Sequence, residues 1–188
     1  PTYTVPAAGP DVFGSLYADF GLTEDRYIKA IQTKPVGQGS RKVVHHALSY
    51  AVEPDYEDVD ANADGGQFLV EYASGKGPEV YPPDSGVLLQ AGTKARVSYH
   101  LHSIGEEVRA DIELGMQFHP KGTTPKYIRW SKQTAGGNSD LDIPAGNIVR
   151  KDGYQRFNKA ARITAFQPHM HIRGKYQCLE LIYPGQPT

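Results

Sequence analysis

Val43-Val44-His45-His46-Ala47-Leu48-Ser49-Tyr50 is the stretch on which the fold is read. Two β-branched residues run into a histidine pair and are followed by small and apolar residues, a pattern that predicts a strand. Successive strand side chains point to opposite faces, so both rings can reach one ion only if the backbone bends or bulges there. The same eight residues also suit a plainer arrangement, one ring packed in the core and the other in solvent. This stretch alone does not choose between them.

The other histidines bear on the choice. The chain has seven, at 45 and 46, at 100, 102 and 119, and at 169 and 171. His100/His102 and His169/His171 both have the His-x-His spacing, which sets two rings on one face of a strand and suits a metal without distortion. Neutral imidazole binds Zn, Cu, Fe and Ni alike, so ligand type does not name the ion. A structural zinc site of the common kind is disfavoured, because the only cysteine is Cys178.

Bulk composition narrows the rest. A chain of 188 residues can bury one large core or two small ones. Its 20 basic and 21 acidic residues leave no charge excess to attract nucleic acid or an anionic membrane surface. No apolar run approaches the ~20 residues needed to span a bilayer. Twenty glycines, fourteen prolines and twelve tyrosines fit an all-β protein with many turns. The opening Pro1, with no initiator Met, suggests a removed leader or missing first residues, and a periplasmic or extracellular location is expected.

Along the chain, residues 1–10 read as an extended arm or edge. Thr23 to Ala30 is the best helix-like piece, although it suits an extended lead-in equally. Tyr27 to Thr33 alternates poorly. Gly75 to Gly86 reads as loop. Ala95, Val97, Tyr99 and Leu101 should face a core, with Arg96, Ser98, His100 and His102 opposite. After a turn at Ile104 to Glu107, Ile112, Leu114, Met116 and Phe118 repeat the pattern, and antiparallel pairing of these two strands is expected. Ser131 to Asn138 reads as a linker. Strands are expected at Ala161 to Phe166 and Tyr176 to Tyr183, and the closing Pro184-Gly185-Gln186-Pro187-Thr188 resembles a hairpin turn whose return strand is absent. Cys178 is expected to be buried and His119 to be structural.

The acidic loop from Glu53 to Gly66 holds a second metal candidate. Asp60, Asn62, Asp64 and Gly65, followed by Glu71, match the spacing of a calcium loop, in which alternate oxygens wrap a hard cation. Gln67 stands where such loops carry an apolar residue, and Phe68 to Tyr72 reads as a strand rather than an exit helix. A solvated acidic loop is the competing reading.

Taken in order, Asp11-Val12-Phe13, Asp25-Arg26-Tyr27-Ile28-Lys29-Ala30, Val43-Val44-His45-His46, Tyr99-His100 with Gly105, and Pro168-His169-Met170-His171 with Gly174-Lys175 carry a resemblance. The chain resembles the copper type II, ascorbate-dependent monooxygenases, relatives of peptidylglycine and dopamine monooxygenases, and is most similar to the bacterial members. The resemblance implies jelly-roll antiparallel β-sandwiches. Residues 1–135 would form a complete first copper-binding sandwich, and 136–188 would begin a second. It implies two coppers per full-length chain, one held by His45, His46 and His100 and passing electrons, the other held by His169 and His171 at the catalytic centre. Ascorbate or another one-electron donor, O2 and a small organic substrate hydroxylated at a C–H bond follow from the same likeness.

Three departures qualify it. The family's second copper also takes a methionine from a later strand, and Met170 should point away from the face shared by His169 and His171. Gln167 stands where peptide-processing members carry an arginine for the substrate carboxylate. A single cysteine contrasts with the disulfide-rich animal enzymes. Two other functions therefore stay open: a non-catalytic copper-binding or structural subunit of a larger complex, and a periplasmic copper electron-transfer module using the first site alone. His102, on the face of His100, is expected to support that site or face solvent rather than complete it.

Overall fold

In the computed structural model, residues 2–56, 65–132 and 142–185 are described. The chain divides into two compact units, Pro1–Ser131 and Lys132–Thr188.

The first unit is an all-β sandwich. One sheet is built from β1 (Thr2–Val5), β3 (Arg26–Val36), β6 (Glu79–Val80), β7 (Ser85–Leu89), β9 (Val108–Phe118) and β10 (Tyr127–Arg129), in the order β1-β9-β3-β7-β10 with β6 added on β3. The other is built from β2 (Val12–Asp19), β4 (Val44–Val52), β5 (Gln67–Ala73) and β8 (Lys94–Leu101), in the order β2-β8-β4-β5. A four-residue helix, α1 (Ser40–Val43), leads into β4. Pairing is antiparallel except between β7 and β10.

Both sheets feed two buried clusters. Val5, Val108, Ala110 and Ile112 of the first sheet meet Val44, Ala47, Tyr72, Val97, Tyr99 and Leu101 of the second. Ile28, Ile31, Val87 and Leu89 meet Ala51, Leu69 and Val70. Burying each such side chain contributes roughly 1.5–3 kcal/mol, which fixes which face of every strand turns inward. A buried polar contact links the sheets within the core, the Thr33 and Ser49 hydroxyls lying 2.6 Å apart.

Bulges explain where alternation fails. Ile28 pairs with Phe118 and Ala30 with Gln117, so Lys29 is an extra residue in β3. The inward set consequently changes parity, from Ile28 to Ile31 and Thr33. The poor alternation of Tyr27 to Thr33 thus belongs to a bulged strand, and Arg26 to Ala30 is strand rather than helix. Within Gly75 to Gly86, β6 and the start of β7 replace part of the expected loop, because β3 offers β6 partners at Ala30 and Ile31 and β10 offers Ser85 and Gly86 partners at Tyr127 and Ile128.

The expected pairing of the strands around Tyr99 and Leu114 does not occur. Both edges of β8 are taken, by β2 and β4, whereas β9 lies in the other sheet between β1 and β3. The intervening loop therefore crosses between sheets, and the two apolar faces meet through side chains instead of through backbone hydrogen bonds. Nor is β8 half-exposed: Arg96 is 1% and His100 4% accessible. The guanidinium of Arg96 sits over the rings of Tyr50 and Tyr56, at 5.3 and 5.7 Å.

In the second unit no strand occurs among the described residues, so Ala161 to Phe166 and Tyr176 to Tyr183 are not strands there. Ile148, Tyr154, Ile172 and Tyr176 are largely exposed, and Ile172 fully so. An extended segment without a paired edge and an apolar layer to cover has nothing to hold it as sheet. Cys178, expected to be buried, is exposed for the same reason. Among the described residues, no helix is long and apolar enough to cross a membrane.

Candidate metal centres

Val44 pairs with Leu101 and His46 with His100, so His45 is the extra residue of a bulge in β4. Val44 and Ala47 both face the core, and the two residues between them are left on the outer side of the sheet. The bend that the paired histidines required is therefore present, and it is what sets adjacent rings on one face. His100 comes to that face by ordinary alternation in β8, between the inward Tyr99 and Leu101.

The three rings converge. His45, His46 and His100 each offer a ring nitrogen within 4.8 Å of the others. The Nδ1 atoms of His45 and His100 are 3.2 Å apart. Two imidazole nitrogens bound at ~2.0–2.1 Å to one tetrahedral ion would be about 3.3 Å apart. The spacing matches two ligands of a single ion.

Asp11, just before β2, meets the same rings from the side. Its Oδ2 is 2.8 Å from His100 Nε2 and its Oδ1 is 2.6 Å from His102 Nδ1. These contacts are shorter than the ~2.9 Å that separates two ligands at right angles on one ion, and they fit hydrogen bonds. An ionised carboxylate can only accept, so each ring donates an N–H. The bonds from His100 and then His102 hold the Asp11 carboxyl below the usual carboxylate range. Held to Asp11 through Nε2, the His100 ring turns Nδ1 toward His45. Phe13, opposite His100 in the pairing of β2 with β8, stacks on the His100 ring at 4.1 Å and 18°. Gly14 lets β2 approach: a Cβ there would fall 2.5 Å from the Tyr99 hydroxyl.

His169 and His171 form a pair in the second unit. Their Nε2 atoms are 3.1 Å apart, again a two-ligand spacing. No strand carries them. The Gly174 amide donates to the His171 carbonyl at 2.8 Å, closing a turn, and the Gln177 side-chain amide donates to the His169 carbonyl at 2.8 Å. Met170 folds over this turn, since a Cβ on Gly174 would lie 2.6 Å from that of Met170.

No protein-family model and no curated protein matches the chain. Its histidine clusters are thus described by their geometry, which can hold a metal ion.

The remaining candidates fall elsewhere. His119 is buried and sits 3.0 Å from the Ser85 carbonyl through Nε2, tying the end of β9 to β7. In the calcium pattern, Asp60, Asn62 and Asp64 lie outside the described residues, and Glu71 is buried in β5. Asp11 and Phe13 are site residues that enter the sequence reading only as part of a motif, with no role at the metal. Their partner His100 is 89 residues away from Asp11 in the chain, and no local spacing signals such a contact.

Proposed function

We propose that the chain is a copper-dependent monooxygenase of the ascorbate-dependent type, working outside the cytoplasm on a small organic substrate. The observation that carries the reading is the repeated nitrogen pair, His45/His100 at 3.2 Å and His169/His171 at 3.1 Å, each at the separation of two ligands on one ion. Histidine-only donor sets suit copper in either oxidation state. His45, His46 and His100 would hold the first copper, and His169 and His171 the second. Bound copper would supply one-electron reduction by the donor and activation of O2 for attack on a C–H bond.

The chain's own residues do the positioning. The β4 bulge turns two neighbouring rings to one face, Asp11 holds the His100 ring through Nε2, and Phe13 shields one face of that ring from solvent. In the second unit the Gly174 turn and the Gln177 amide hold the backbone of the histidine pair. Gln167 is neutral, which argues against a substrate recognised by a terminal carboxylate.

Metal analysis of the purified protein, combined with oxygen uptake in the presence of ascorbate, tests the reading. Two coppers per chain and ascorbate-dependent uptake are expected, and a protein that binds no copper would overturn it. A second reading, a copper electron-transfer or structural module, is favoured by one observation: only the first centre is built on paired strands. One copper that is reduced and reoxidised reversibly, without substrate turnover, would establish that alternative.

A further inference from the structure

We propose that Asp11 is a positioning residue for the first metal: its carboxylate sets the tautomer of His100 and holds His102 out of the ligand set. The inference rests on the copper reading of His45, His46 and His100, and adds to it the reason that His100 is used and His102 is not.

The rings of His45, His46, His100 and His102 crowd this part of the outer face. The His102 ring centroid is 4.7 Å from that of His100 and 4.9 Å from that of His45, so distance alone does not exclude His102 as a ligand. What separates the rings is the nitrogen each commits to Asp11. His100 gives Nε2 and keeps Nδ1 for the face shared with His45. His102 gives Nδ1 and is tied at 2.6 Å to the opposite oxygen of the same carboxylate. One side chain thus orients one ring as a ligand and restrains the other. A carboxylate that accepts from the remote N–H also raises the basicity of the ligating nitrogen. Phe13 works in concert, because stacking limits rotation of the His100 ring about its own bond.

Asp11 is not itself assigned as a ligand. Its oxygens lie at hydrogen-bond distance from both rings, closer than two donors on a common ion. Its place ahead of β2 matters, because pairing of Val12 with Leu101 and Phe13 with His100 fixes where the carboxylate falls.

The test is copper(II) binding to the full chain, with pulsed electron paramagnetic resonance to count imidazoles and to read the remote nitrogens. Wild type should show three imidazoles at the first centre. Asp11→Ala should weaken copper binding there about 10–100-fold and add a fourth imidazole, which His102→Ala in the same chain should remove. Asp11→Asn preserves the shape and guards against a folding artefact. Its amide can accept from only one ring through oxygen, so the remote-nitrogen coupling of His100 should shift while the fold stays intact. His102→Ala alone should leave the imidazole count at three. Should Asp11→Asn and Asp11→Ala both match wild type in affinity, imidazole count and remote-nitrogen coupling, Asp11 does not position the site. Detection of a carboxylate ligand in the wild type would equally overturn the assignment. If wild type binds no copper at the first centre, the functional reading fails together with this one, whereas three-imidazole copper in every variant sinks this one alone.

Discussion

The two histidine centres offer nearly the same nitrogen spacing on very different supports. In the first unit the rings stand on β4 and β8, neighbouring strands paired from Val44 to Val52 with a bulge at His45, and with a packed core beneath. In the second, His169 and His171 stand on a turn closed by the Gly174 amide and braced by Gln177. A ligand pair can be encoded locally, by two histidines one residue apart. A preorganised trio needs long-range structure: a bulge, a partner strand and a carboxylate from a third strand's entry. The first centre should accordingly bind a metal with less reordering, and therefore more tightly.

The largest expected effect comes from removing one ring from each centre. His45 is exposed, so His45→Ala should abolish the tighter copper without unfolding the sandwich, lowering copper by one equivalent per chain. His171→Ala should remove the weaker one. Loss of the outer carboxylate partner typically costs ~10–100-fold in affinity, and a gap of about that size between the two coppers is expected in a copper titration. If His171→Ala removed the tighter copper, the comparison would be reversed.

A core substitution probes the support instead of the ligand. Leu101 is fully buried, is the residue after His100, and pairs with both Val12 and Val44. Leu101→Ala should destabilise the first unit by ~2–5 kcal/mol, read from denaturant unfolding, and should loosen copper at the first centre while sparing His169/His171. Equal loss at both would show that the centres do not have separate supports. Hydrogen exchange gives a gentler version of the same contrast. Amides of β4 and β8 should exchange slowly, and those of 142–185, which form no strand, should exchange fast. Strong protection across Ala161 to Phe166 would show that the second unit is held as firmly as the first.

How much of this is legible in the sequence depends on the range of the contact. The His45 bulge is legible only as a condition: adjacent histidines reach one ion only through a bulge, and the stretch itself leaves the plain strand open. The bulge at Lys29 is not, since nothing in Tyr27 to Thr33 distinguishes a shifted strand from no strand. The strands around Tyr99 and Leu114 are each legible from alternation, but alternation reports only which face is apolar. It cannot say whether that face meets a neighbour edge to edge or across the core, and here the core wins. In the second unit, the apolar stretches at Ala161 to Phe166 and Tyr176 to Tyr183 have strand propensity without a paired edge, and propensity alone does not hold a strand. Asp11 is opaque for the opposite reason: its role exists only once β2 lies beside β8.

The smallest expected effect concerns alkaline pH, and it too should fall on the first unit. Tyr81 follows β6, its amide bonded to the Lys29 carbonyl at 2.9 Å. Burial, then the charge of Glu79, push its phenol up to about 12, with the Arg129 guanidinium, 4.5 Å from the ring, acting in the other direction. In the unfolded chain a tyrosine titrates near ~10. The folded state therefore holds the proton more tightly than the unfolded state does. The resulting stabilisation is complete below pH ~10 and is lost as pH rises through about 12. Tyr81→Phe has no proton to lose, so unfolding of the first unit should become less steep with pH in that window, while stability near neutrality changes little. Phenolate absorbance followed together with amide exchange in β3 and β7 would check both halves. An unchanged pH dependence in Tyr81→Phe would mean that the proton lost on alkaline unfolding belongs to another group. Tyr99, raised by burial and by Tyr3 beside it, is the next to test.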